Sequence, residues 1–279
     1  YFKNKYFYIF LFFWIYLLLN SLFNNFNLDS LKISFFYFRY GLFVLAIVAL
    51  LEADSKFIKY FFYSILFCFS ILIFDGFYQY LNGQNIFGWK STVRTSSFFG
   101  DELILGSYLS RLWPIFFGLS ILIFNQKKRL FYLFILTFIL SEALIFLSGD
   151  RSAFFYINLS TIFIILFSQN LLKIRLFTLI SSILLLIFIS FFNPVAKERV
   201  FDQTIEDMNL KKENDKEEIY IFTKHYHEIY TSAYKMFLNN KLLGVGVKNF
   251  RNECSDSRYY VKQKEICSTH PHNTYIQIL

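Results

Sequence analysis

Apolar residues fill nearly every position of seven stretches within the first 192 residues, and the interruptions between them are short and charged. A hydrocarbon layer of roughly 30 Å needs about 20 mainly apolar residues in a helix rising 1.5 Å per residue. The pattern predicts spans over Tyr6 to Phe23 (span 1), Ile33 to Leu51 (span 2), Phe57 to Phe74 (span 3) and Leu103 to Phe124 (span 4). Leu130 to Leu147 (span 5), Ser152 to Ser168 (span 6) and Ile174 to Phe192 (span 7) complete the series. Alternation with a period of two is absent, which disfavours a transmembrane barrel. After Asn193 the pattern changes, because polar and charged residues interrupt every window. Ala196 to Asp215 is a charged stretch whose Val200, Phe201, Ile205 and Met208 form a stripe suited to a membrane surface, and a helix rich in Tyr and Phe is expected over Glu217 to Leu238. The chain therefore reads as all-α: a polytopic transmembrane helix bundle over residues 1–192, followed by a long, mainly helical loop over 193–279. Tyr1 in place of an initiating Met, and an end at Leu279 inside an apolar run, are read as marks of a fragment at both ends.

Composition sharpens this picture. With 56% hydrophobic residues, 40 Phe and 20 Tyr, the chain has more apolar surface than the interior of a water-soluble domain of this length can take up. Charge then orients it. Nine basic residues (Lys3, Lys5, Lys56, Lys59, Lys127, Lys128, Arg129, Lys173, Arg175) fall in the turns on one side, against four (Lys32, Lys90, Arg94, Arg151) in the short loops opposite. By the positive-inside rule the nine face the cytoplasm, so the segment after Asn193 is external, in a bacterium periplasmic. Residues 1–192 carry 15 basic and 8 acidic side chains and residues 193–279 carry 13 and 12, so the formal +8 resides almost wholly in the membrane part. There it suits anionic lipid or phosphate. Nucleic-acid-binding motifs are absent, and nucleic acid is not an expected partner.

The same sidedness brings Arg39, Arg94, Arg111, Glu142 and Arg151 towards the outer leaflet. Ionisable groups at membrane depth cost about 2.5–3.5 kcal/mol on insertion scales and normally face a polar cavity or each other. Two readings stand: a cationic cavity, or side chains that reach the headgroups, with Arg111 and Glu142 pairing to lock helices together. In the external segment, Cys254 and Cys267 form a disulfide in an oxidising compartment, with a zinc site from Cys254, Cys267, His270 and His272 as the competing reading. Cys68 is expected to be buried within span 3. His225 and His227, two apart on a helix, point to different faces and make poor joint ligands. No metal site is favoured.

Three blocks carry a resemblance. They are Val93-Arg94-Thr95-Ser96-Ser97-Phe98-Phe99-Gly100, the turn Ser148-Gly149-Asp150-Arg151, and Leu242-Leu243-Gly244-Val245-Gly246-Val247-Lys248-Asn249-Phe250 followed by His270-Pro271-His272-Asn273-Thr274-Tyr275. In order, spacing and shared membrane side they resemble the O-antigen ligase and O-antigen polymerase superfamily, polytopic glycosyltransferases of the bacterial inner membrane. Lys241 stands where members often carry Pro, and His227 where they often carry Arg. The resemblance implies a GT-C-like helical fold, an undecaprenyl-pyrophosphate-linked glycan donor, and a saccharide acceptor that is either lipid A core or another repeat unit. It implies that Arg94 and Arg151, then Arg111 and Arg39, hold the pyrophosphate, and that His272, with Asn273 beside it, accepts the proton of the attacking hydroxyl. On the residues alone His272 equally suits a loop position before a helix that Asn273 caps. Because guanidinium groups neutralise the diphosphate, no cofactor or Mg²⁺ is called for. A transporter or flippase of anionic lipid-linked saccharide is the alternative, although neither an internal repeat nor paired broken helices point to it.

Overall fold

The computed structural model describes residues 5–24, 26–54, 56–91, 94–124, 128–167, 172–210, 219–220, 223–259, 267–268, 270–271 and 276. Among them there is no strand, and the protein is all-α. The helices are α1 (Lys5–Phe23), α2 (Leu28–Phe36), α3 (Phe38–Ala53), α4 (Phe57–Asn82), α5 (Leu105–Phe124), α6 (Lys128–Leu147), α7 (Arg151–Phe167) and α8 (Leu172–Phe192). The short α9 (Pro194–Lys197), a π turn (Glu198–Asp202) and α10 (Gln203–Asp207) follow, then α11 (Lys224–Asn239) and α12 (Phe250–Cys254). Four helices among the described residues are long and apolar enough to cross a membrane: Lys5–Phe23, Leu28–Ala53, Phe57–Asn82 and Leu105–Ile123. Large apolar side chains such as Phe12, Leu122, Phe167 and Leu184 are exposed along the helices. Such a surface is stable only against lipid, and the chain is a multi-pass membrane protein.

Several boundaries differ from those the hydropathy pattern predicts. Span 2 is helical from Leu28, where the Asn27 side chain accepts from the Asp29 N–H, and it is interrupted at Tyr37 between α2 and α3. Span 3 does not stop at Phe74 but continues to Asn82, because Asp75 and Gln79 turn inward and find partners there. The helix expected from Glu217 begins at Lys224; Tyr220 is outside any helix and its N–H donates to the Met208 carbonyl at 3.0 Å. Cys68 is not buried: its thiol is exposed on α4.

Packing divides the chain into two compact units, residues 55–205 and residues 1–54 with 206–279. The core of the 55–205 unit is aromatic. Phe62 of α4 stacks on Phe116 of α5 at 5.1 Å, Phe69 lies 5.2 Å from Phe116, and Trp113 sits 4.4 Å from Phe138 of α6. Beyond Asn193, whose side chain caps the Ala196 N–H, Ala196 and Val200 pack with Phe146 and Leu186. The ring of Phe201 lies 5.8 Å from Phe146 and 6.0 Å from Phe154. Val200 and Phe201 of the expected surface stripe thus pack at the ends of α6 and α7.

In the other unit, α1 and α2 are tied by Trp14, which donates to the Ser34 carbonyl, and by Ser21 and Ser34, whose hydroxyls are 2.6 Å apart. The Leu243 to Val247 segment rests on this hairpin: Asn20 and Asn24 donate to the Leu243 carbonyl, Asn24 to that of Gly244, and Ser30 to that of Val247. Cys254 and Cys267 are joined in a disulfide with Cα atoms 5.6 Å apart. Their sulfurs are therefore not the thiolates that a zinc site from these residues requires.

Candidate active site

The loop from Gly83 to Ile104 would be free to wander over the end of the 55–205 unit if α4 did not hold it. Two fully buried polar side chains of α4, one turn apart, do so. Gln79 accepts the N–H groups of Ser96 and Ser97 at 2.9 and 2.7 Å and donates to the Trp89 carbonyl. Asp75 accepts the Ile86 N–H at 3.0 Å and the Ser97 hydroxyl at 2.7 Å. Asn85 completes the network by accepting from Phe87 and Trp89 and donating to the Ser97 carbonyl. Because each buried donor is paired, the loop is fixed and Arg94 leaves it in a defined direction.

Arg94 is aimed at the turn between α6 and α7. Its Nε donates to the Ser148 carbonyl at 2.6 Å and its Nη2 to the Leu103 carbonyl at 3.4 Å. Arg199, from the π turn after α9, donates through Nε to the neighbouring Gly149 carbonyl at 3.2 Å. These carbonyls lie at the C-terminal end of α6, where partial negative charge favours cations. Gly149 has φ of 60°, and a Cβ there would stand 2.7 Å from Arg199 Cδ, so only glycine lets the second guanidinium in. The next residue, Asp150, caps the start of α7: it accepts the Ala153 N–H at 3.1 Å and the Ser107 hydroxyl of α5 at 2.7 Å. Gly106 allows that approach, since a Cβ on it would meet Ser148, Asp150 and Ala153.

Arg151 is the first residue of α7, so its charge stands at the positive end of a helix dipole. The turn thus gathers three guanidinium groups and one carboxylate. Burial first, then Arg199 and Arg151, lower the Arg94 pKa from its ordinary value, and Asp150 only partly opposes them. Arg94 stays charged at any physiological pH, and its lowered pKa reflects burial first and the neighbouring guanidinium groups second. Among the described residues Arg199 has no second protein acceptor, which leaves its η nitrogens free to donate.

Of the residues that the sequence nominates, Arg94 and Arg151 meet at this turn. Arg111 is exposed on α5, one helical turn, about 6 Å, beyond Ser107 on the same face. Glu142 is buried in α6, so the Arg111 to Glu142 pair is not formed. Arg39 belongs to the other unit, exposed on α3, with its Nη2 3.2 Å from the Tyr40 hydroxyl and its guanidinium over the Tyr40 ring. His272 and Asn273 lie outside the described residues; His270, just before them, is exposed. In α11, His225 is exposed and the His227 ring lies 5.2 Å from that of Tyr220.

Arg199, Asp75, Gln79 and Ser107 were not nominated by the sequence. The sidedness argument that selects Arg94 and Arg151 stops at the end of span 7. Carried two turns further, it includes Arg199. The other three carry no such signal, being polar residues whose value lies in the loop they face.

A family model described as O-antigen ligase matches residues 135–279, just over half of the chain. The matched interval opens inside α6 and takes in the Ser148 to Arg151 turn, Arg199 and the Leu242 to Phe250 segment. No curated protein and no solved structure matches the chain.

Proposed function

The chain belongs to the O-antigen ligase family, and from that membership we propose that it moves a glycan from undecaprenyl pyrophosphate to an acceptor hydroxyl at the periplasmic face of a bacterial inner membrane. Glycan transfer of the O-antigen ligase and polymerase type is the family's chemistry, with lipid-linked glycan and saccharide as substrates in general. The reading assigns the donor's diphosphate to Arg94 and Arg151, with Arg111 further along the α5 face and Arg39 as an additional cation. His272, with Asn273 beside it, takes the proton.

The observation that carries the reading is the cluster of guanidinium groups at one turn. Arg94 is oriented by a fixed loop, Arg151 opens α7, and Arg199 closes on Gly149. A diphosphate leaving group gains one negative charge as its bond to the anomeric carbon breaks, and preorganised cations there stabilise the transition state more than the ground state. The acceptor oxygen forms the new bond to the anomeric carbon and gives its proton to the neutral imidazole of His272. The electron pair of the broken bond departs with the undecaprenyl pyrophosphate. In-line displacement inverts the anomeric centre. Because arginines carry the charge, the reaction proceeds without Mg²⁺.

The test is His272→Ala in protein reconstituted in liposomes with a lipid-linked glycan donor and a saccharide acceptor. Released undecaprenyl pyrophosphate is expected to fall by 10²-fold or more, the scale of a lost general base, with donor affinity retained. Undiminished release would overturn the base assignment. Movement of donor across the bilayer without release of pyrophosphate would favour a transporter instead.

A further inference from the structure

Between α7 and α8 runs a cleft of about 360 Å³ that is closed at one end by the chain beyond Pro194. Ile183, Leu186 and Ile187 of α8 form one wall, Phe154 of α7 the other, and Phe201 and Lys197 stand at the closed end. Besides Lys197, two polar side chains face it, and each donates within its own helix: Asn158 to the Phe154 carbonyl at 2.8 Å and Ser190 to the Leu186 carbonyl at 2.7 Å. The cleft therefore offers hydrocarbon a mainly apolar lining.

Its position gives it a specific occupant. Phe154 lies one turn into α7 from Asp150 and Arg151, and Lys197 precedes by two residues the arginine that bonds Gly149. The chain turns by 116° between α8 and the segment from Pro194, so Lys197 stands at the end of the cleft and does not prolong its apolar wall. A ligand whose anionic head is held at the Ser148 to Arg151 turn has this cleft as the adjoining apolar path. We propose that the cleft between α7 and α8 is the berth of the first isoprene units of the donor's polyprenyl chain, with Lys197 marking the boundary between chain and diphosphate. The inference rests on the pyrophosphate reading above and extends it to the lipid.

Ile187→Trp, which fills the cleft, is tested in the reconstituted protein with two donors that carry the same glycan diphosphate on a long polyprenyl chain and on a methyl group, which has no isoprene unit. The polyprenyl-donor KM is expected to rise roughly tenfold, the effect of one excluded isoprene contact, while the methyl-donor KM stays within about twofold. Arg94→Ala should raise both alike. If Ile187→Trp changes neither KM, or both equally, the cleft is not the berth. If Arg94→Ala changes neither, the pyrophosphate reading fails while the chain-length result still judges the cleft. A wild-type arm guards against misfolding of the variant: a donor analogue with a diazirine on its first isoprene unit should label residues 154–158 or 183–191. Labelling elsewhere, or labelling abolished by excess phosphatidylglycerol, would assign the cleft to ordinary membrane lipid and overturn the proposal.

Discussion

Two glycine turns, one in each compact unit, are seated by side chains that donate to backbone carbonyls, and they differ in the charge of the donor. At Ser148 and Gly149 the donors are the guanidinium groups of Arg94 and Arg199. At Leu243, Gly244 and Val247 they are the neutral side chains of Asn20, Asn24 and Ser30. Either kind of donor satisfies a carbonyl, so the requirement of the fold is the same in both places. The surplus differs. An asparagine clamp spends its amide on the turn and leaves no net charge, whereas an arginine clamp spends one or two of five N–H groups and leaves a full positive charge beside the turn. The first turn is built as the second would be if it also had to hold an anion.

The sharpest way to break this comparison is to remove the charge and keep the length. Arg94→Gln should cost about 10²–10³-fold in turnover, the scale of one lost donor to a developing anion, and Arg94→Lys should recover part of it, because the point charge remains and the fork is lost. Turnover by the reconstituted protein reads the effect. Equal and small losses in both variants would reduce Arg94 to a helix-end clamp of the neutral kind.

The contrast also explains how much was legible from the sequence. The starts of α5, α6, α7 and α8 fall within two residues of the hydropathy boundaries, because lipid imposes one rule on every position of a span. Asp75 and Gln79 defeat that rule: read as polar, they end a span, yet they lie one turn apart on a helix that runs on to Asn82 and bury themselves against a loop no hydropathy window describes. The Ser148 to Arg151 turn is visible as a pattern, but not that its carbonyls face two arginines from distant segments. Arg199 sits in a stretch whose charges look like ordinary solvation. Only the seating of Val200 and Phe201 on Phe146 and Phe154 turns it inward.

A change one layer behind the site should have a different signature. Gln79→Ala leaves the N–H groups of Ser96 and Ser97 buried without their acceptor, at about 1–3 kcal/mol for each unsatisfied group. Thermal unfolding in detergent should shift downward, and turnover should fall with it as the loop loses its hold on Arg94. Gln79→Glu, which keeps the acceptor oxygen, should retain more of the stability than Ala does. An unshifted melting temperature in Gln79→Ala would mean that the loop is positioned from elsewhere.

The smallest effect is expected at the neutral turn. Asn24→Ala removes donors to the Leu243 and Gly244 carbonyls, but Asn20 still reaches Leu243 at 2.7 Å and Ser30 still reaches Val247 at 2.6 Å. One such bond contributes about 0.5–1.5 kcal/mol, and the Gly244 carbonyl is near enough to the surface for water to replace the amide. A melting temperature lowered by a few degrees with turnover per folded molecule unchanged is the expected outcome. Turnover lost at full stability would show instead that the second turn also takes part in the chemistry, and that a neutral clamp is no sign of a purely structural role.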